Sequence, residues 1–445
     1  MKKLTKTIYV QGLENDAYLW RLVNNPQSFP KPTPELLDRF EDGKLVEKYA
    51  KNLYVNEEVE FEKEFNYKNL SARVDVLRKT DDGFDLIEIK SSTKVKDKYL
   101  DDLAFQKYVL KKCKVKVNKC LLVIINKEYT LNEELDLTEL FLEIDLTDKV
   151  EKRPLFIQRS LEIINQAQEP EFKAEDLETC SKDNPIAQEF LSHLPKNNIF
   201  EVYKIRKSKA IELFNEGKMQ IKDAPNEDLN KYGRIQKKEK EHYDKEHLKK
   251  FFSKLEEPIS YLDFETYQLP IPLFEGSKPF EHIPFQYSLH FENNHKEFLF
   301  EGKGNPKKEF LEKLKKDLPN KGPILVFYKH FEAKVLRELG KAFPESKEWT
   351  ENVIKRFIDL RDPFANFWYY HPSQRGSTSI KDILPVFSNE SYKGMFVNNG
   401  RDAMGFYKKN KENLPEQLKK DLLEYCKLDT KAMQIILEGL KQRIV

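Results

Sequence analysis

The sequence is poor in cysteine, in net charge and in long apolar runs, and each shortage narrows its class. Its four cysteines, Cys113, Cys120, Cys180 and Cys426, include no C-x-x-C pair, which argues against a zinc ribbon. Sparse thiols in a lysine-rich chain fit a reducing cytoplasm. Lys plus Arg total 77 against 75 Asp plus Glu, a net charge of +2. Any affinity for nucleic acid must therefore come from local clusters, not from the global field. The opening MKKLTKTIYVQGLEN carries charge with no long apolar stretch behind it, and no run is long enough to span a bilayer. The expectation is a soluble cytoplasmic protein with no membrane partner. No internal repeat at a fixed period is visible.

What is present points to several packed cores. A length of 445 residues exceeds one ordinary domain. Hydrophobic residues at 39% and aromatics at 12% argue against disorder. Residues 57–90 read as strands: EVEFEKEF alternates, ARVDVL is β-rich, and FDLIEIK follows a turn at Asp82-Gly83. An apolar spacing predicts a helix over Asp97–Lys112, and CLLVII from Cys120 is a buried strand. Residues 169–250 are mostly polar and helical, and the run KKEKEHYDKEHLKK reads as a solvated linker helix. A second α/β pattern follows, with strands ISYLDFET, IPFQYSLHF, KEFLFEG and PILVFY, and a long helical tail. The expected domains are 1–168, 169–250 and 251–445.

Asp263 and Glu265 lie two apart on an apolar strand and so share one face. Buried carboxylates are costly unless paired or bound to metal, and Mg2+ or Mn2+ prefers oxygen ligands. In YCKLD, Tyr425 stands four before Asp429, on one face of the predicted tail helix. A hydroxyl there can orient a water while Asp429 holds a metal. Glu332, where VFYKHFEAKVL passes from strand to helix, supplies a fourth acid; Asp359 or Asp362 in FIDLRDPF are alternatives. YYHPSQRGSTSIKDILP offers His371, Arg375 and Lys381 as nucleic-acid contacts.

This order resembles the DEDD exonuclease superfamily, with a ribonuclease H-like fold, in its tyrosine branch. The histidine branch would place His where Glu424 stands. The departure is Glu332, where that family usually has Asp. The resemblance implies two-metal phosphodiester hydrolysis with Asp263, Glu265, Glu332 and Asp429 as ligands and Tyr425 beside them.

In the N-terminal half, Asp75 on ARVDVL and Glu88 and Lys90 on LIEIK form a PD-(D/E)xK arrangement. The carboxylates and the Ile89 carbonyl would bind a cation, and Lys90 would polarise the attacking water. The order RVDVL, LIEIKSS, LAFQKYVL resembles RecB-type nucleases. That resemblance implies a restriction-endonuclease-like fold, Glu47 in place of a metal-binding His, and Gln106 and Tyr108 contacting DNA or bracing the site. Many relatives carry an iron–sulfur cluster on one early and three late cysteines. This chain lacks the early one, so the cluster is expected to be absent, with Cys180 its remnant.

The two halves together resemble a bacterial family of unknown function that joins them. The leading expectation is a metal-dependent nuclease acting on DNA or RNA. The alternatives are a catalytic C-terminal half with an N-terminal binding module, or a non-enzymatic binding protein. Protein partners are not indicated.

Overall fold

The computed structural model describes residues 2–444; the outermost positions of the expected first and third domains, 1 and 445, lie outside the described residues. The chain is a mixed α/β protein of two compact units: Met1–Leu194, Lys207–Asn215 and Leu269–Phe280 in the first, and Pro195–Arg206, Glu216–Gln268 and Glu281–Val445 in the second. Residues 169–250, expected as a module of their own, are divided between the two units. Their short helices bury apolar side chains that a solvated linker would expose. Ile186 and Ala187, Ala210 and Leu213, and Tyr232 are among them. Even the charged run contributes Leu248 to a buried face, beside Phe251 just after it. Among the described residues no helix is long and apolar enough to cross a membrane.

The sheet of the first unit uses β1 (Leu4–Thr5), β2 (Val59–Tyr67), β3 (Leu70–Thr80), β4 (Gly83–Ile89), β5 (Val117–Ile125) and β6 (Phe141–Asp145). β2, β3 and β4 form an antiparallel meander, β4 and β5 run parallel, and β6 returns antiparallel to β5. A parallel neighbour needs a crossover. Of three helices used below, α1 (Lys6–Gly12), α2 (Pro34–Lys51) and α3 (Asp97–Lys112), the last is that crossover and has the bounds its apolar spacing predicts. β5 is apolar on both faces because both are covered. Leu121, Val123 and Ile125 pack with Val46 and Ala50 of α2, while Cys120, Leu122 and Ile124 pack with Leu103 and Ala104 of α3. Gly83, expected in the turn, opens β4 instead; a Cβ there would meet the Lys116 carbonyl oxygen at 2.8 Å.

β1 pairs in parallel with Leu70 and Ser71. β2 already fills one edge of β3 as far as Leu70, and β4 leaves the other edge at Val76. β1 thus continues along the edge that β4 vacates. That brings Lys6, the first residue of α1, toward the C-terminal end of β4.

In the second unit, β7 (His242–Tyr243) pairs with β13 (Tyr369–Tyr370). The main sheet uses β8 (Ser260–Tyr267), β9 (Ile283–Phe291), β10 (Asn294–Leu299), β11 (Ile324–Val326) and β12 (Phe357–Asp359), in the order β10-β9-β8-β11-β12. The first three strands are antiparallel and the last three parallel. β11 is shorter than the expected PILVFY, because Tyr328 turns left-handed at φ 81° and starts a helix. Four helices matter here: α4 (Lys329–Ala342), α5 (Ile380–Phe387), α6 (Gly400–Asn410) and α7 (Glu416–Ile444). Leu262 and Phe264 of β8 join a core with Tyr287, Phe310 and Leu336. By strand alternation Asp263 and Glu265 face the other way, where α7 packs on β8 and β9.

Candidate active site

In the second unit the β8 acids meet an acid of α7. Asp263, Glu265 and Asp429 each offer an oxygen, and these atoms lie within 4.8 Å of one another. Glu265 and Asp429 are buried. Glu332, in the first turn of α4, is 1% exposed, and its Oε2 has no hydrogen-bond partner among the described residues. Burial drives the Asp263, Glu265 and Glu332 carboxyls well above the ordinary range, and repulsion among the acids adds to it. Burial also pushes Asp429 up to about 6, against hydrogen bonds from two tyrosines and the attraction of Lys381.

One of those tyrosines is Tyr425, one turn before Asp429 as its spacing requires. The other, Tyr392, donates to Asp429 Oδ1 at 2.6 Å; nothing in SNESYKGM marks it in advance. Cys426 extends its thiol toward Asp263 Oδ2 at 3.5 Å. Lys381 of α5 lies over the Tyr392 and Tyr425 rings at 5.5 and 5.9 Å and donates to the Asn398 carbonyl. Of the three candidates for the fourth acid, Asp359 accepts the amides of Tyr328, Lys329 and Arg361, which ties it to the start of α4. Asp362 is raised by burial and by Asp359. Glu332 is the one on which the charges of both Asp263 and Glu265 act and whose oxygen is unpaired. The donor set is all carboxylate oxygen, which suits a hard cation such as Mg2+ or Mn2+.

The other expected nucleic-acid contacts here have partners of their own. Arg375 pairs in bidentate fashion with Glu201. His371 Nδ1 meets Ser373 Oγ at 2.6 Å, and its Nε2 lies 3.8 Å from Glu241.

In the first unit, Asp75, Glu88, Ile89, Lys90, Glu47 and Lys6 line one cleft of about 590 Å³. Ile89 N–H donates to Asp75 Oδ2 at 2.9 Å. Lys90 bonds Glu88 at 2.5 Å and Asp102 at 2.7 Å. Gln106 braces the same acids, donating to Glu88 at 2.7 Å and Asp102 at 2.9 Å. Lys6 lies between the motif acids, 3.3 Å from Asp75 and 3.0 Å from Glu88. Burial would raise Glu88, but Lys6 and Lys90 outweigh it and hold it low. Burial and the Glu88 charge raise Asp75 to about 7. Asp102 is raised for the same reasons. Glu47, Glu62 and Asp75 form a second close group of acids, with Lys51 bonded to Glu47 at 2.6 Å and to Glu62.

Sequence reasoning missed Lys6, Glu62 and Asp102. The last was findable, since Asp102 and Gln106 share one face of α3. Tyr108 packs beside the Tyr9–Phe105 core with Lys112 over its ring at 5.2 Å, and does not line the cleft. Cys180 is buried with Sγ 3.7 Å from the Glu14 carbonyl oxygen, and burial pushes its thiol up to about 11.

Residues 260–379 match a family model described as a domain of unknown function (DUF2779). The matched range contains Asp263, Glu265 and Glu332 but stops short of Tyr425 and Asp429. No curated protein matches the chain. Among solved structures it is similar to one described as "Crystal structure of SSO0001", at 14% identity over 41% of this chain and 88% of that one, with a TM-score of 0.22. A likeness of that size carries no functional argument.

Proposed function

We propose that the protein is a metal-dependent nuclease that hydrolyses DNA or RNA phosphodiesters, with 3′–5′ exonuclease chemistry at the Asp263 cluster. The observation that carries this is the convergence of three carboxylates within 4.8 Å, two of them buried and Asp263 half-buried, with the unpaired, buried Glu332 feeling the charges of Asp263 and Glu265. Four acids gathered here, three of them buried, with Lys381 acting on only Glu265 and Asp429, are unfavourable without a further cation. They suit a site whose charge balance is completed by Mg2+ or Mn2+. Such ions would polarise a phosphoryl oxygen and lower the pKa of a water. Asp263, Glu265, Glu332 and Asp429 would hold them. Tyr425 and Tyr392 hydrogen-bond Asp429, and the Tyr425 hydroxyl would direct the water. Lys381 suits a phosphate oxygen. The sheet order β10-β9-β8-β11-β12, with acids on the central strand, supports a ribonuclease H-like reading of this unit.

A restriction-endonuclease-like reading of the first unit is supported by Asp75 in the middle of β3 and by Glu88 and Lys90 at the C-terminal end of β4. A specific observation favours a binding role there over catalysis. Lys6 contacts both motif acids, where a divalent ion would otherwise balance them. The test is release of nucleotides from end-labelled single strands with Mg2+ or Mn2+. Asp263→Ala is expected to abolish release and Asp75→Ala to leave it. Activity that survives both substitutions together refutes the nuclease reading.

A further inference from the structure

The segment from Tyr392 to Gly400 is tied to the carboxylate cluster at both ends. Tyr392 donates to Asp429 at 2.6 Å. Gly400 sits so close to Glu265 that a Cβ would lie 3.4 Å from its Oε2. Between them the Asn398 carbonyl accepts from Lys381. At the middle of the span Phe396 is 60% exposed. Its ring is not loose. It stacks on Phe406 of α6, with centroids 4.8 Å apart and planes 25° apart. Phe396 is four residues from either anchor, so its Cα lies within about 14 Å of both.

A braced aromatic ring with one bare face, fixed this near a phosphodiester site, has a natural occupant. We propose that Phe396, backed by Phe406, is a stacking platform for an unpaired nucleobase, so that the site takes single-stranded ends in preference to duplex. The proposal rests on the nuclease reading above and specifies its substrate. Every base has a π-face that an aromatic side chain can stack on, but a base inside a duplex has both faces covered. The chemistry of the neighbouring cavity agrees. It measures about 450 Å³ and is lined by Lys393, Met395, Phe396, Asp421 and Glu424. Its two acids disfavour a phosphate there and can accept hydrogen bonds from base amino groups. Phosphate is better suited to Lys381.

The test uses the full chain carrying Asp263→Asn, to suppress hydrolysis, with short oligonucleotides bearing 2-aminopurine at the 3′ end. DNA and RNA are each presented single-stranded and annealed. Binding to the parent should quench 2-aminopurine emission. Phe396→Ala should abolish the quenching and weaken single-strand binding by about five- to a hundredfold, the range of one base–aromatic stack. Duplex affinity should not change. Phe396→Trp should restore the quenching. Phe396→Leu, which keeps the apolar packing on Phe406 but has no π-face, should not; it also serves if the alanine variant folds poorly. Unchanged quenching and affinity in the Ala and Leu variants would overturn the proposal, as would equal affinity for duplex. If the protein hydrolyses oligonucleotides but Phe396 is indifferent, only this proposal falls. If it neither binds nor cleaves any of them, the nuclease reading falls with it.

Discussion

Replacing Asp429 with Asn keeps the shape of the side chain and an acceptor for the Tyr392 and Tyr425 hydroxyls, but removes one buried negative charge. Asp429 is held at about 6 rather than the ordinary 3.8. At about 1.4 kcal/mol per pH unit, its ionisation costs the fold about 3 kcal/mol at neutral pH. The sign follows from the direction. A carboxyl whose folded pKa is raised is neutral in both states below its unfolded value, so there is no penalty at pH 3.5. The penalty develops as pH rises through the interval from about 4 to 6 and is constant above. Metal-free Asp429→Asn should therefore match the parent near pH 4 and exceed it at pH 8. For a unit of this size each kcal/mol corresponds to about 2–4 °C in Tm. The assay is thermal unfolding in EDTA across that pH range, then again with Mn2+. Added Mn2+ should raise the Tm of the parent much more than that of the variant, because the ion offsets the repulsion that the substitution has already relieved. A variant no more stable than the parent at pH 8 in EDTA would refute the view that burial penalises the ionised form of Asp429.

Other expectations follow from the same contacts. Glu332→Gln should weaken Mn2+ binding at the cluster by tenfold or more in calorimetry; unchanged affinity would remove Glu332 from the ligand set and return attention to Asp359 and Asp362. Tyr392→Phe removes a hydrogen bond to the ionised form of Asp429, so the acid limb of the pH–rate profile should move to higher pH, with kcat affected more than KM. Lys6→Met leaves Asp75 and Glu88 without one of their cations and should destabilise the first unit by about 3 kcal/mol or more in denaturant titration; a neutral effect would mean that Lys6 is a surface group. The same variant should gain more Tm from added Mn2+ than the parent does.

Legibility differed between local and long-range features. β8 was readable because D-x-E on an apolar strand admits one orientation, and α7 because Tyr425 and Asp429 fall one turn apart. α3 was readable to the residue, since its apolar spacing changes sharply at both ends. Lys6 was not readable. It reaches Asp75, 69 positions away, only because β1 fills the edge of β3 that β4 leaves. Tyr392 was hidden likewise, since a tyrosine in an irregular segment gives no signal until Asp429, 37 positions on, is seen against it. The span 169–250 reads as a linker module, and its division between the two units is not visible in the sequence, because its apolar residues are dispersed over helices too short for periodicity to stand out. Such helices are stabilised by the core they cover rather than by their own sequence.

The two acid clusters differ most in what balances them. In the first unit Asp75, Glu88 and Asp102 meet the ammonium groups of Lys6 and Lys90 directly, and Lys51 bonds Glu47 and Glu62. These acids have internal counter-charges, and Glu88 is accordingly held low, although burial still raises Asp75, Asp102 and Glu47. In the second unit Lys381 is the cation that stabilises Glu265 and Asp429, yet its hydrogen bond goes to the Asn398 carbonyl and its charge lies over two tyrosine rings. There the acids are all raised. A divalent ion entering the first cluster must displace or crowd a lysine, whereas one entering the second relieves repulsion and burial that Lys381 and the two tyrosines offset only in part. On that ground the second cluster should bind Mg2+ or Mn2+ first as concentration rises, and Lys6→Met should narrow the gap. Two-site calorimetry with Asp263→Asn and Asp75→Asn as references separates the two events. Tighter binding at the Asp75 site in the unsubstituted protein would show that the lysines there move aside readily, and would restore that site as a catalytic candidate.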